Sequence, residues 1–345
     1  MNRIDELASL YGVSSTALRR CELQGNYNET FEFEWEGRSY MLRVSPDWHD
    51  VGSLQKIMRY LQEHSRLGSP VVEPKASLQG LLVETVIDPE AENRKRLVTV
   101  TAKAPGVTHE LLEESSLSRG MYRRVGEATA RIHNNAAAMG TAAWKFPVWY
   151  ESDNCFNATE YPETLDPRIV AKYQLVKEHC REQTLDAIGL AVRAEENDLK
   201  TSTWGVIHGD LHFSNILIDN HSQRITFCDF DDACLGIYAM DVAMIVFDLK
   251  IILQCIDKQQ VFERMVSEIL AGYNAVCIGQ PEALTLDDLE SFLKLLEISM
   301  FLQCWSMYEE ARTDGHDLTG WLGLFYAGRE QRILADLPYL EFSCQ

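Results

Sequence analysis

The chain has 345 residues, of which 46% are hydrophobic, 10% aromatic and 24% charged. These values describe a globular protein with room for about two domains and exclude fibrous, collagen-like and low-complexity chains. It carries 52 acidic against 32 basic residues, a formal charge of −20, so phosphate backbones and anionic lipid are repelled, and neither a nucleic-acid nor a membrane partner is expected.

The nine cysteines form no CxxC pair and no zinc-ligand spacing, so free thiols are expected. The first residues, Met1-Asn2-Arg3-Ile4-Asp5-Glu6, have no apolar signal core. The most apolar stretch, 239–256, is interrupted by Asp241, Asp248 and Lys250. A cytoplasmic chain is expected.

In chain order, alternation of apolar and polar residues predicts strands over 29–35 and 38–44, joined by a tight turn at Glu36-Gly37. Phe31, Phe33 and Trp35 share one face of the first. A helix follows over 51–65, with Leu54, Ile57, Met58 and Leu61 at i, i+3, i+4, i+7. Further strands fit 81–86 and 96–101. After Lys103-Ala104-Pro105-Gly106 the texture turns helical, so the boundary is set between 1–103 and 104–345. Helical periodicity marks 116–138, 167–192, 240–256, 259–277, 286–310 and 318–335, with Thr285 and Asp288 as a capping-box start. Short strands interrupt this half at 205–208, 215–218 and 224–228.

Those short strands deliver polar residues at their ends. Asp210 and Asn215 lie five apart across a loop, and Asp229 follows nineteen after Asp210, beyond a hairpin-length excursion. Three oxygen-bearing side chains at one end of a small sheet suit phosphoryl transfer. A carboxylate takes the hydroxyl proton while hard oxygen donors hold Mg²⁺ on nucleotide phosphates. The competing reading makes each a turn or cap residue, which the ordered set disfavours.

At these residues the sequence resembles the aminoglycoside phosphotransferase and choline kinase superfamily, the small-molecule branch of the protein-kinase-like fold. The resemblance rests on an HGDxxxxN loop, His208 to Asn215, and an IDFDD-like metal segment, Cys228 to Asp232. It continues through Gly236 to Asp241, similar to the family's Gly…Asp-hydrophobic helix start, and spans about residues 20 to 330. It implies an α+β, two-lobed fold: a small antiparallel β-sheet N-lobe that binds nucleotide, and a larger, mainly helical C-lobe for catalysis and substrate. It further implies ATP or GTP between the lobes, Mg²⁺, and a small-molecule acceptor with a hydroxyl group, amine-containing in the leading reading.

By position, the resemblance makes Asp210 the base, Asn215 and Asp229 metal ligands, and His208 a support of the loop. Asp232 faces substrate or caps the next helix, and both readings stand. Asp241 anchors the loop by hydrogen bonds, and His212 contacts substrate or simply packs. On the nucleotide side, 24–29 occupies the place of the phosphate-covering hairpin with a single Gly, and Asn26 or Asn28 reaches phosphate there. Arg43 stands where the family presents a lysine to the phosphates, a permanently charged fork in place of a point charge. The helical Glu that usually pairs with that base is missing, so either another acid such as Asp50 substitutes or Arg43 is held differently. Residues 98–103 resemble the hinge that meets adenine, with Thr101 and Lys103 at the cleft.

For the acceptor, aromatic and acidic residues of 146–161 and 296–326 are candidates, among them Asp153, Trp305 and Tyr308, with core packing as the competing reading of the last two. Two other functions remain in competition. A protein Ser/Thr kinase is disfavoured by His-Gly-Asp in place of His-Arg-Asp and by the lack of an activation segment. A silent nucleotide-binding or structural protein is favoured by Arg43 and the missing Glu, and opposed by the intact Asp210, Asn215 and Asp229.

Overall fold

The computed structural model describes residues 3–21, 28–46, 50–88, 94–108, 120–152, 154–159, 161–196, 203–254, 259–278, 282–314 and 321–340. It is an α+β, two-lobed protein-kinase-like fold. A five-stranded antiparallel sheet comes first, built from β1 (Arg19–Arg20), β2 (Glu29–Trp35), β3 (Arg38–Ser45), β4 (Val83–Asp88) and β5 (Arg94–Ala102) in the order β1-β2-β3-β5-β4. The β2–β3 turn carries Glu36 and Gly37 at φ +50° and +76°, the paired left-handed conformation of a two-residue hairpin turn.

Side chains alternate across this sheet, and the register decides which face each meets. Phe31, Phe33, Tyr40, Leu42, Val98 and Val100 form one core with Leu7 and Tyr11 of α1 (Arg3–Tyr11). Full burial of such side chains stabilises by about 1.5–3 kcal/mol each. The intervening Thr30, Met41, Arg43, Thr99 and Thr101 face the other way and line a cleft. Across it lies α2 (Val51–Arg66), whose Leu54, Ile57, Met58 and Leu61 are buried as their spacing predicts. α1 and β1 escape the sequence reading, being short and, in β1, polar.

The helical lobe holds α3 (Met121–Met139), α4 (Pro167–Glu196), α5 (Tyr238–Gln254), α6 (Gln259–Val276), α7 (Asp287–Gln303), α8 (Trp305–Thr313), α9 (Trp321–Tyr326) and α10 (Arg329–Leu334). α3 and α6 cross so closely that a Cβ on Gly126 would lie 2.0 Å from the Ile269 carbonyl oxygen, and one on Gly272 1.9 Å from that of Arg123. α5, the most apolar stretch, is a core helix with Val242 to Phe247 buried. Among the described residues no helix is long and apolar enough to cross a membrane, and the described cysteines are free.

Two expected helices break. The stretch 286–310 divides at Cys304, whose φ −89°, ψ 0° closes α7 before α8 restarts, and Gly328 at φ +67° caps the start of α10. Asp288 accepts from both the N–H and the hydroxyl of Thr285, at 2.7 and 2.6 Å, which supplies the back-reaching half of the capping pattern; the helix itself is capped at Leu286 without a side-chain bond. Two small antiparallel ribbons complete the lobe: β6 (Trp204–Ile207) with β9 (Cys234–Ile237), and β7 (Ile216–Asp219) with β8 (Arg224–Phe227). β9 was not expected from the sequence. Between these ribbons run the segments 208–215 and 228–233.

Candidate active site

The loop after β6 hangs on one buried carboxylate. Asp241, in the first turn of α5, accepts the His208 N–H at 2.8 Å, the Gly209 N–H at 3.0 Å and His133 Nε2 at 3.0 Å. Burial opposes its charge, yet the bond and charge of His133 and the nearby His208 prevail and hold its pKa below the usual carboxylate value. Gly209 sits at φ +84°, and a Cβ there would meet the Asp232 carbonyl oxygen at 2.1 Å, so only glycine lets the loop pass.

His208 joins two segments. Its Nε2–H donates to the Cys228 carbonyl at 2.9 Å, while its Nδ1 accepts the Asp210 N–H at 3.3 Å. The Asp210 carboxylate follows, with Oδ2 3.3 Å from His212 Nε2 and 3.5 Å from Asn215 Nδ2. His212 Nδ1 accepts the Ser214 N–H at 3.2 Å, which places its remaining proton on the nitrogen facing Asp210. Burial works against the charge of Asp210, but the His212 bond, the charges of His212 and His208, and Asn215 lower its pKa. The same pair raises that of His212 against its own burial.

Asn215 ends a 3-10 turn (Phe213–Asn215), and its Nδ2 donates to the Asp210 carbonyl at 2.8 Å. The turn is tied to α5 by Asp248, whose Oδ2 accepts the Phe213 N–H at 2.7 Å. The sequence reading missed Asp248. Its spacing of seven from Asp241, two turns along one helix face, was the available signal.

On the other side of His208, Asp229 adopts φ +61°, a left-handed conformation that Asp tolerates better than most residues. It pairs through Oδ1 with Arg43 Nη1 at 2.9 Å, while Arg43 Nη2 reaches both oxygens of Asp231 at 2.6 and 2.8 Å. Burial and the neighbouring Asp231 raise the pKa of Asp229, against the pull of Arg43. The acids on Arg43 are thus Asp229 and Asp231, and not Asp50. That residue caps α2 through the Ser53 N–H at 2.7 Å. Glu63 is spent on Arg66 at 2.6 Å.

Two cavities flank this core. One of about 450 Å³ lies between sheet and α2 and is lined by Arg43, Thr101, Lys103 and Asp229. Lys103 also pairs with Glu32 at 2.8 Å. Asn28 keeps a buried Oδ1 that has no hydrogen-bond partner among the described residues; Asn26 lies outside them. The other cavity, of about 690 Å³, is lined by Asp210 and Asp232 together with Asn154, Asn157, Gln303 and Ser306. The three carboxamides were not singled out from the sequence, where nothing but tertiary proximity distinguishes them. Trp305 and Tyr308 are not among its lining residues. Trp305 donates to Thr164 Oγ1 at 3.1 Å, and Tyr308 stacks on Tyr326 with centroids 4.1 Å apart. Asp153 lies outside the described residues.

The model of the phosphotransferase enzyme family, APH, matches residues 21–273. The chain belongs to this family. As a phosphotransferase it shares its fold with solved kinases of low sequence identity. An amicoumacin kinase, hAmiN, in complex with AMP-PNP, Ca²⁺ and Ami, superposes with a TM-score of 0.72 at 20% identity, covering 99% of this chain and 94% of that one. A microcompartment-associated aminopropanol kinase gives 0.66 at 21%, covering 96% and 97%. Spectinomycin phosphotransferase APH(9)-Ia, with ADP and its antibiotic, gives 0.51 at 14%, covering 97% and 93%. No curated protein matches the phosphotransferase by sequence.

Proposed function

We propose that this phosphotransferase is a cytoplasmic small-molecule kinase that moves the γ-phosphate of ATP, with Mg²⁺, to a hydroxyl of an amine-containing acceptor. The observation that carries the reading is the placement of Asp210 and Asp229 in two adjoining cavities, with His208 tied to the segment of each. A donor in one cavity and an acceptor in the other meet at the carboxylates between them.

In this reading the lobes divide between residues 103 and 104, and the nucleotide lies in the sheet-side cleft against Arg43, Asn28, Thr101 and Lys103. The Ala102 and Lys103 amides are committed to the Glu73 and Ser39 carbonyls at 2.8 and 2.9 Å, which leaves the adenine edge to the chain just beyond. Asp210 is ionised at neutral pH and accepts the acceptor's hydroxyl proton. Its recorded side-chain contacts fall on Oδ2, so Oδ1 is the atom that receives it. His212 and Asn215 hold the carboxylate in place, and Asp232 faces the acceptor's amine.

The donor set fits Mg²⁺. Asp229 leaves 48% of its side chain open, and Asn215, with Nδ2 committed to the Asp210 carbonyl, has Oδ1 to offer. Two hard protein oxygens, with phosphate and water for the rest, are what this ion takes. When bound, it neutralises charge on the phosphates.

The test is a coupled ADP-release assay with Mg·ATP over aminoglycosides, spectinomycin, choline, ethanolamine, homoserine and amino sugars. Acceptor-dependent release that Asp210→Ala abolishes is the expected result. Nucleotide binding with turnover only on a protein substrate overturns the small-molecule reading. Absence of Mg²⁺-dependent nucleotide binding overturns the kinase reading altogether.

A further inference from the structure

We propose that Asp231 is the positioning residue for Arg43, doing for this arginine what the resemblance assigns to a helical glutamate. The proposal rests on the nucleotide reading above and adds a residue to it.

The helix that faces Arg43 offers no acid. Across the cleft α2 presents Leu54, Ile57, Met58 and Leu61 to the cavity. Its flanking Asp50 caps the helix and Glu63 is paired with Arg66. Lys56 turns to the Lys145 carbonyl at 2.9 Å. The apolar wall therefore leaves the guanidinium to be oriented from the opposite lobe. Asp231 does so with both carboxylate oxygens on one terminal nitrogen, at 2.6 and 2.8 Å. The second terminal nitrogen reaches Asp229, at 2.9 Å.

The two acids differ in exposure. Asp231 keeps 21% of its side chain accessible, as does Arg43, whereas Asp229 keeps 48%. Asp231 and Arg43 thus make a partly desolvated, charge-assisted pair, and Asp229 is the more open partner, able to exchange Arg43 for another cation. With phosphates and an ion bound, Asp229 would serve the ion, and Asp231 would keep Arg43 available to the phosphates. A fork needs two directions of support. One aspartate at 229 and a second at 231 supply them from alternate positions of one segment.

The experiment measures binding of Mg·ATP and of adenosine by titration calorimetry to the full chain and to Asp231→Asn, Asp231→Glu, Arg43→Gln and the Arg43→Gln/Asp231→Asn double variant. Adenosine does not reach the phosphate site, so it reports an intact cleft. The expected result is that Asp231→Asn weakens Mg·ATP about tenfold and leaves adenosine unchanged. Asp231→Glu restores most of the loss, and Asp231→Asn adds nothing once Arg43 is Gln. Three outcomes overturn the proposal: Mg·ATP bound by Asp231→Asn as well as or better than by wild type; equal loss of adenosine binding, which makes the role architectural; or a further loss in the Arg43→Gln background, which makes Asp231 act independently of Arg43. A wild-type chain that binds neither ligand removes the nucleotide reading, and the proposal with it. That failure is visible before any variant is made.

Discussion

The loop 208–215 hangs from a carboxylate that is 1% exposed and satisfies three donors at once. In the adjoining cleft, Arg43 is held by partners 186 and 188 positions away, in a pair whose side chains remain 21% open or more. Asp241, buried and holding three donors, fixes the geometry of the loop. A pair that stays partly open contributes less to stability than a fully buried one and can re-form around an incoming charge. The loop side is therefore set by folding, and the cleft side keeps room to rearrange.

Asp210→Asn attacks this contrast at its strongest point. It keeps shape and loop bonds but removes the proton acceptor of the proposed mechanism, so transfer is expected to fall about 10²–10⁴-fold while Mg·ATP affinity is unchanged. Single-turnover ADP release checks this, and retained transfer takes Asp210 out of the base role.

The next effect compares the two anchors directly. Asp241→Ala strands a buried His133 and two amides and costs about 3–5 kcal/mol of stability. Asp231→Ala, acting on the open pair, costs less than about 1 kcal/mol. Urea unfolding of both variants measures the difference, and equal losses dissolve the contrast.

The smallest effect lies on α2. His64 is fully buried with Nδ1 2.6 Å from Ser69 Oγ. Burial, and then nearby His133, push its pKa down to about 3. Between the unfolded value of about 6.5 and that figure, the unfolded chain holds a proton that the folded one refuses. The contribution of His64 to stability is thus full above pH 6.5 and declines as pH falls, with a slope approaching one proton. His64→Gln flattens this slope in urea midpoints from pH 7 to 5, and an unchanged slope assigns the proton elsewhere.

Much of the molecule is legible in one dimension because its causes are local. Alternation placed β2 and β3, and the i, i+3, i+4, i+7 pattern of Leu54, Ile57, Met58 and Leu61 placed α2. The spacing of His208, Asp210, Asn215 and Asp229 is legible because the chain between them is short: a loop, a hairpin and a turn leave few ways to arrange them. Asp241 was readable through the family resemblance, which extends into the first turn of the helix that follows.

The partner of Arg43 was not readable, nor was the separation of Asp210 and Asp229 into two cavities. Asp231 stood in the sequence inside the segment Cys228 to Asp232, with no partner assigned to it. Only the docking of the sheet's cleft face onto the 228–233 segment selects it, and the cleft wall of α2, apolar at Leu54, Ile57, Met58 and Leu61, brings no acid to Arg43. Trp305 and Tyr308 show the same limit from the other side. Their composition suits a cation pocket, but the break at Cys304 turns Tyr308 onto Tyr326. The sequence by itself determined the elements, the phosphotransferase loop and the residue types at its ends, because periodicity and short spacings are properties of neighbouring residues. The tertiary structure alone decided which charges meet and which side chains border a cavity, because those contacts join residues far apart in the chain and depend on how whole elements pack.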